Sequence, residues 1–388
     1  MEQPAHGAAP ATASATSPLA TEATARMTEP TIGLALSGGG FRATCFGLGC
    51  LRALHDRSVL DRVKVISGIS GGSVLAALYA YGPDGFDDFD QLVTEQLQRG
   101  FQLEMLTRSL RPGPMVRNSS QALRATILRH SKELALRGAN RTDALRDVLA
   151  SRAFGNRTLG DVTHPRLATV ITATDLKTGN AVRFGSLRSS CSPYGTIQEP
   201  VQVAEAVAAS GAFPLLLPAV ERRYTFRRDS GSPAEAQVVL LTDGGVYDNL
   251  GVSVLEPGRS PAHTAHVYDC DYIISCDAGR GRFTRTDGHF FASRVTQSFA
   301  VVHQRAQDGA RARLHEAAAA GRINGFIHAY LGMRDERLPV PVPDLVGRTG
   351  TSDYPTNFRA MDTSDLDRIS LRGEQLTAIL LNHYCPEL

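Results

Sequence analysis

Val63-Lys64-Val65-Ile66-Ser67-Gly68-Ile69-Ser70-Gly71-Gly72-Ser73, running into Val74-Leu75-Ala76-Ala77-Leu78-Tyr79, is the stretch around which the chain is organised. A short apolar run bounded by glycine predicts a buried strand, and the segment after Ser73 predicts a helix entered through a sharp turn. One serine with glycines on both sides at such a turn has the form of a nucleophile elbow, which makes Ser70 the candidate nucleophile. The glycines have a steric job. The backbone around such a serine is strained, and neighbouring segments approach so closely that side chains at Gly68 and Gly72 would collide with them.

The preceding stretch, Thr31-Ile32-Gly33-Leu34-Ala35-Leu36-Ser37, also predicts a buried parallel strand. It ends in Gly38-Gly39-Gly40-Phe41-Arg42 and passes into a helix from Ala43 to Leu54, where Phe46, Cys50, Leu51 and Leu54 recur at helical spacing. A strand, a glycine loop and a helix N-terminus together hold negative charge. Two charges fit. One is a pyrophosphate, since Gly38, Gly40 and Ala43 satisfy the relaxed G-x-G-x-x-G/A spacing; the acidic residue that motif wants after the next strand is replaced by Ser67-Gly68. The other is an oxyanion formed in acyl transfer, because adjacent parallel strands place their C-terminal loops on one edge and bring the glycines to Ser70.

A chain of 388 residues can bury a large core. Its formal net charge of +2 creates no global field toward nucleic acid or an anionic membrane. Cys45, Cys50, Cys191, Cys270, Cys276 and Cys385 form neither a metal-ligand spacing nor a disulfide framework; they read as reduced, mostly buried thiols of a cytosolic protein. No metal or cofactor is expected. Residues 1–30, rich in Ala, Thr, Ser and Pro, predict a disordered tail and no signal peptide. With no run of eighteen apolar residues, any membrane contact is expected from the surface.

Further along, Phe86, Phe89, Val93 and Leu97 form one helical stripe, and Leu123, Ile127 and Leu134 a second beyond Pro112-Gly113-Pro114. This region from about 86 to 138 is either a set of core-capping helices or a lipid-contacting lid. Arg166 to Asp175 predicts a buried strand with a turn at Lys177 to Asn180 and a return strand Ala181 to Phe184. The small-residue helix Val203 to Ala209 leads to Ser210-Gly211-Ala212-Phe213-Pro214, where something approaches closely. Arg222 to Gln237 reads as a loop, and the strand Gln237 to Thr242 delivers Asp243-Gly244-Gly245, with Asn249 following. A strand at Tyr272 to Cys276, a helical region from 290 to 320, a strand at Phe326 to Leu331, a proline-rich linker at Pro339 to Pro343 and a helix from Ser364 to His383 complete the chain. Arg280, Arg282 and Arg285 read as a solvated basic loop.

These stretches, in this order, resemble the patatin-like phospholipase family. Gly38-Gly39-Gly40-Phe41-Arg42 is similar to its GGGxR oxyanion loop, and Gly68-Ile69-Ser70-Gly71-Gly72 to its elbow. Ala209-Ser210-Gly211-Ala212-Phe213-Pro214 is similar to its A-S-x-x-x-P segment, and Asp243-Gly244-Gly245 to its catalytic aspartate motif. Thr174-Asp175-Leu176 with Thr178-Gly179 adds a minor match. The resemblance spans Thr31 to Asn249; many relatives carry a proline two residues beyond the asparagine, where this chain has Gly251.

The resemblance implies a three-layer α/β/α fold with a mostly parallel central sheet. It places the nucleophile at Ser70, the base at Asp243 and the oxyanion site at Gly38, Gly39, Gly40, Phe41 and Arg42, with Gly68, Gly71, Gly72, Gly244 and Gly245 in support. Arg42 steadies that loop or a substrate phosphate. The expected domains are the 1–30 tail, a hydrolase domain over 31–335 and a 336–388 extension whose closing helix packs on it. The implied substrate is a phospholipid or other acyl ester at a membrane surface, cleaved without cofactor; an oligomer is compatible. Three alternatives stay open: a Ser-Asp-His triad using His263, His266, His289 or His303, a regulated membrane-damaging lipase, and a silent lipid-binding protein.

Overall fold

The computed structural model describes residues 29–109, 141–214, 216–281 and 291–388. The expected tail lies almost wholly outside them, as do the second stripe of the 86–138 region, Arg282 and Arg285. The first half of the chain alternates as expected: β1 (Ile32–Leu36), α1 (Gly40–Asp56), β2 (Val63–Gly68) and α2 (Gly71–Tyr81). Then come α3 (Phe86–Arg99), α4 (Gln102–Ser109), α5 (Arg141–Leu149) and β3 (Ala168–Asp175). The short strands β4 (Asn180–Gly185), β5 (Ser190–Cys191) and β6 (Gly195–Ile197) precede α6 (Val203–Ser210), β7 (Val220–Arg227) and β8 (Glu235–Thr242). The chain continues through β9 (Tyr272–Asp277), α7 (Phe291–Ala319), β10 (Gly325–Tyr330) and α8 (Thr363–Tyr384).

All ten strands form one sheet in the order β10-β9-β1-β2-β3-β4-β5-β6-β7-β8, with β8 also pairing back onto β3. Only half of it matches the expectation of a mostly parallel sheet. The pairs β10/β9, β9/β1, β1/β2 and β2/β3 are parallel, as crossover helices demand. From β3 onward every pair is antiparallel, and Thr174 opposite Thr242 closes β3 to β8 around a separate curl. The reason is visible in β7, where Val220, Tyr224 and Phe226 are buried while Glu221 and Arg227 face water. Strands with one wet face read as polar, which is why Arg222 to Gln237 resembles a loop in sequence when it is largely a hairpin.

Alternation splits the core in two. Leu34, Leu36 and Ile66 point into a large cluster with α1, α2 and α8, and Phe89, Val93 and Leu97 of α3 join it. Ala35, Val65 and Ile273 face a smaller cluster closed by Leu250 to Leu255 and by Ala310, Leu314 and Ala317 of α7. Where α1 meets α8, backbones nearly touch: a Cβ on Gly49 would lie 1.7 Å from Ser370 O, and one on Gly373 2.3 Å from Phe46 O. All six cysteines are buried and unpaired. Among the described residues, no helix is long and apolar enough to cross a membrane.

Candidate active site

The loops after β1, β2 and β8 converge. Ser70 sits between β2 and α2 at φ 50°, ψ −118°, a conformation that costs a non-glycine residue about 1–3 kcal/mol and persists only where its surroundings enforce it. They do. Ile69 N–H donates to Leu36 O at 3.1 Å, and Gly72 N–H to Ile69 O at 2.7 Å. Ser70 N–H donates to Ser210 Oγ at 2.9 Å, while Ser73 Oγ donates to Ser70 O at 2.6 Å. Added Cβ atoms at Gly68, Gly71 and Gly72 would meet Ser73 Cα at 2.7 Å, Gly40 O at 1.9 Å and Leu36 O at 2.4 Å.

Asp243 ends β8 and is fixed by its backbone: its N–H donates to Ala212 O at 3.0 Å, and its carbonyl accepts from Thr174 Oγ1 at 2.9 Å. Its Oδ1 accepts the Gly245 amide at 2.7 Å. The Ser70 hydroxyl lies close enough to help hold the carboxylate's pKa down, yet Oδ2 is without a partner at full hydrogen-bond geometry. Burial dominates. It pushes the pKa up to about 6, against the opposing pull of Ser70 and Gly245.

The glycine loop supplies fewer donors than the sequence implied. Gly38 N–H is committed to Asn249 O at 3.0 Å and Phe41 N–H to Asn357 O at 2.9 Å. The amides of Gly39 and Gly40 take no acceptor among the described residues. Arg42 is spent on backbone too: Nε donates to Ala278 O at 3.0 Å and Nη1 to Tyr354 O at 2.6 Å. Burial, reinforced by Arg280, lowers its pKa to about 10. Arg42 thus ties the start of α1 to Ala278 and Tyr354, and it also lines the cavity that Ser70 faces. Beyond Asn249, Asp248 accepts the amides of Leu250, Gly251 and Ser253 at 2.8–3.1 Å, with Gly251 at φ 73°. A proline at 251 has neither that N–H nor that φ, so the turn here is closed by the Asp248 carboxylate and the left-handed Gly251.

Ser70, Asp243 and Gly39 open into a cavity of about 380 Å³, bounded by Arg280, His303 and Thr356 among others. Of the three candidate histidines among the described residues, His303 alone lines it, and its ring bonds the Gly245 backbone; burial lowers its pKa. His266 is buried away from the cavity, with burial and then Arg183 pushing its pKa down to about 3. His263 is exposed, and His289 lies outside the described residues. Among the described residues no group of three His, Cys, Asp or Glu side chains is placed to hold a metal ion. Ser210 is visible in sequence as the serine of the A-S-x-x-x-P segment but with no role attached, and Asn357, whose contribution is a carbonyl, carries no signal there.

Residues 34–255 match the model of the patatin-like phospholipase family, which is more than half of the chain. The chain belongs to that family. Among solved structures it is similar to human GIVD cytosolic phospholipase A2, at 15% identity and a TM-score of 0.52, over 90% of this chain and 61% of the other. The same human enzyme in complex with methyl gamma-linolenyl fluorophosphonate gives a TM-score of 0.51 at 15% identity, over 90% of this chain and 58% of the other. At this identity the likeness is one of fold, and the chain spans about three-fifths of these relatives' length. No curated protein matches the sequence significantly.

Proposed function

We propose that the chain is a lipid acyl hydrolase of phospholipase A or lysophospholipase type, acting on glycerophospholipids at a membrane surface. In this reading Ser70 Oγ attacks the ester carbonyl and Asp243 takes its proton directly. The amides of Gly39 and Gly40 receive the oxyanion, and the leaving alcohol departs with the proton. Water then attacks the acyl-enzyme, with Asp243 again as base. Ser70 and Asp243 act as catalytic residues, and Gly68, Gly71, Gly72, Gly244 and Gly245 give them room.

The observation that carries this reading is the pairing of a strained, enforced Ser70 with a buried carboxylate whose pKa stands near 6. A base is most useful with its pKa close to working pH, and burial achieves that for Asp243. Family membership and the fold shared with a phospholipase A2 support the substrate class. Six buried free thiols fit a reducing, cytoplasmic setting. We take 31–335 as the hydrolase domain and 336–388 as its extension.

The experiment is release of free fatty acid from mixed phospholipid vesicles and lysophospholipids by wild type and Ser70→Ala. Release by wild type alone, sorted by lipid class and acyl position, supports the proposal and names its type. Release that persists undiminished in Ser70→Ala, or none from any lipid by a folded wild type, contradicts it.

A further inference from the structure

The four consecutive amides of the glycine loop are divided two and two. Those of Gly38 and Phe41 are tied to the carbonyls of Asn249 and Asn357, at 3.0 and 2.9 Å; those of Gly39 and Gly40, between them, take no acceptor among the described residues. Pinning a short loop at both ends fixes the direction of the amides in the middle. A preorganised donor pair is what stabilises charge at the moment it develops. One pin, Asn249, lies inside the family-matched segment, whereas Asn357 lies far beyond its end at residue 255.

The strap Tyr354 to Phe358 is fitted to the loop in detail. Gly40, at φ 57°, turns its bare Cα toward the strap: a Cβ there would lie 2.6 Å from Asn357 O and 2.8 Å from Asn357 N. Arg42 Nη1 donates to Tyr354 O at 2.6 Å. The Phe358 ring meets Phe41 edge-on with centroids 5.4 Å apart, and its carbonyl accepts the amides of Phe101 and Gln102 at 2.8 and 3.1 Å. Asn357 Oδ1 accepts the Arg359 amide at 2.9 Å, a side-chain turn that sets the tilt of the adjoining peptide. Thr356, next to it, lines the cavity that holds Ser70.

We infer that Asn357 is a positioning residue for the reaction. Its side chain holds the turn of the strap, its carbonyl holds the Phe41 amide, and the strap thereby aims the Gly39 and Gly40 amides at the developing oxyanion. The inference rests on the hydrolase reading above. It makes the extension part of the active site rather than a cover on it.

The test uses the full chain and a soluble acyl ester, with rates expressed per Ser70 titrated by a fluorophosphonate, so that misfolded protein is not counted. Inhibition by an alkyl trifluoromethyl ketone is measured alongside: Ser70 Oγ adds to its carbonyl carbon, the proton passes to Asp243, and the former carbonyl oxygen becomes the oxyanion. A donor pair displaced by about 1 Å loses up to about 100-fold in rate. Asn357→Ala is therefore expected to lower kcat about tenfold to a hundredfold with KM unchanged, and to weaken the ketone by the same factor. Asn357→Asp, which keeps an acceptor for the Arg359 amide, should restore both. Wild-type kcat and ketone affinity in Asn357→Ala overturn the inference, as does an equal loss in Asn357→Asp. A wild type that cleaves no ester removes the hydrolase reading and the inference with it; an active wild type matched by Asn357→Ala removes the inference alone.

Discussion

The amide of Ser70 donates to Oγ of Ser210 at 2.9 Å, so the elbow is tied to the end of a helix 140 residues later. The same segment takes Asp243: Ala212 O accepts from Asp243 N–H at 3.0 Å and from Thr242 Oγ1 at 2.9 Å. One turn of chain, residues 210–212, thus sets the position of both proposed catalytic residues.

Ser210→Ala should strand the buried Ser70 amide, at a cost of about 1–3 kcal/mol. The elbow is the strained part of the fold, so relaxation there should displace Ser70. The expected outcome is a melting temperature lower by a few degrees and a kcat reduced about tenfold or more. Thermal melts and kinetics on one preparation check it. Unchanged kcat would mean that the elbow holds its shape without this bond.

Asp243 sets the pH behaviour. As a base it works ionised, so kcat/KM should rise with pH and level off above the pKa of about 6. Stability should run the other way. The folded pKa is raised above the ordinary 3.8, so the protonated carboxyl favours the folded state at low pH and that benefit is lost between about pH 4 and 6. Asp243→Asn carries no such loss. It should gain about 2–3 kcal/mol over wild type above pH 7 and little below pH 4, read by denaturant unfolding at each pH.

His303 reaches the cavity yet bonds the Gly245 backbone. A dyad has no need of its proton. His303→Ala is expected to cost less than about tenfold in kcat, where a triad histidine would cost about 1000-fold or more. Steady-state kinetics across pH 6 to 9 separate the two.

Gly71→Ala places a Cβ 1.9 Å from Gly40 O, backbone against backbone with no flexible side chain to yield. It should destabilise by more than about 3 kcal/mol or prevent folding. Gly179→Ala is the contrast. At φ 71° with nothing within 4 Å, it should cost only the backbone term of about 1–2 kcal/mol, by urea unfolding.

The parallel half of the fold and the elbow were legible because their signals are local. Val63 to Tyr79 spells strand, turn and helix in one continuous run, and the glycines around Ser70 mark backbone approaches that any side chain would block. The antiparallel half was not, because a strand such as Val220–Arg227 buries Val220, Tyr224 and Phe226 and leaves the residues between them polar or charged. Within the site, the glycine loop was visible but not the state of its amides. Which of the amides from Gly38 to Phe41 are taken depends on the carbonyls of Asn249 and Asn357, and a carbonyl looks the same in every residue.

The most direct test of the Ser70–Asp243 dyad is the single-turnover acylation rate on a soluble acyl ester, compared among wild type, Ser70→Ala and Asp243→Asn, each shown to be folded. The account predicts rapid acylation in wild type, none in Ser70→Ala, and a loss of about 1000-fold or more in Asp243→Asn, because in a dyad Asp243 is the group that takes the Ser70 proton. Acylation of Asp243→Asn at close to the wild-type rate would contradict it.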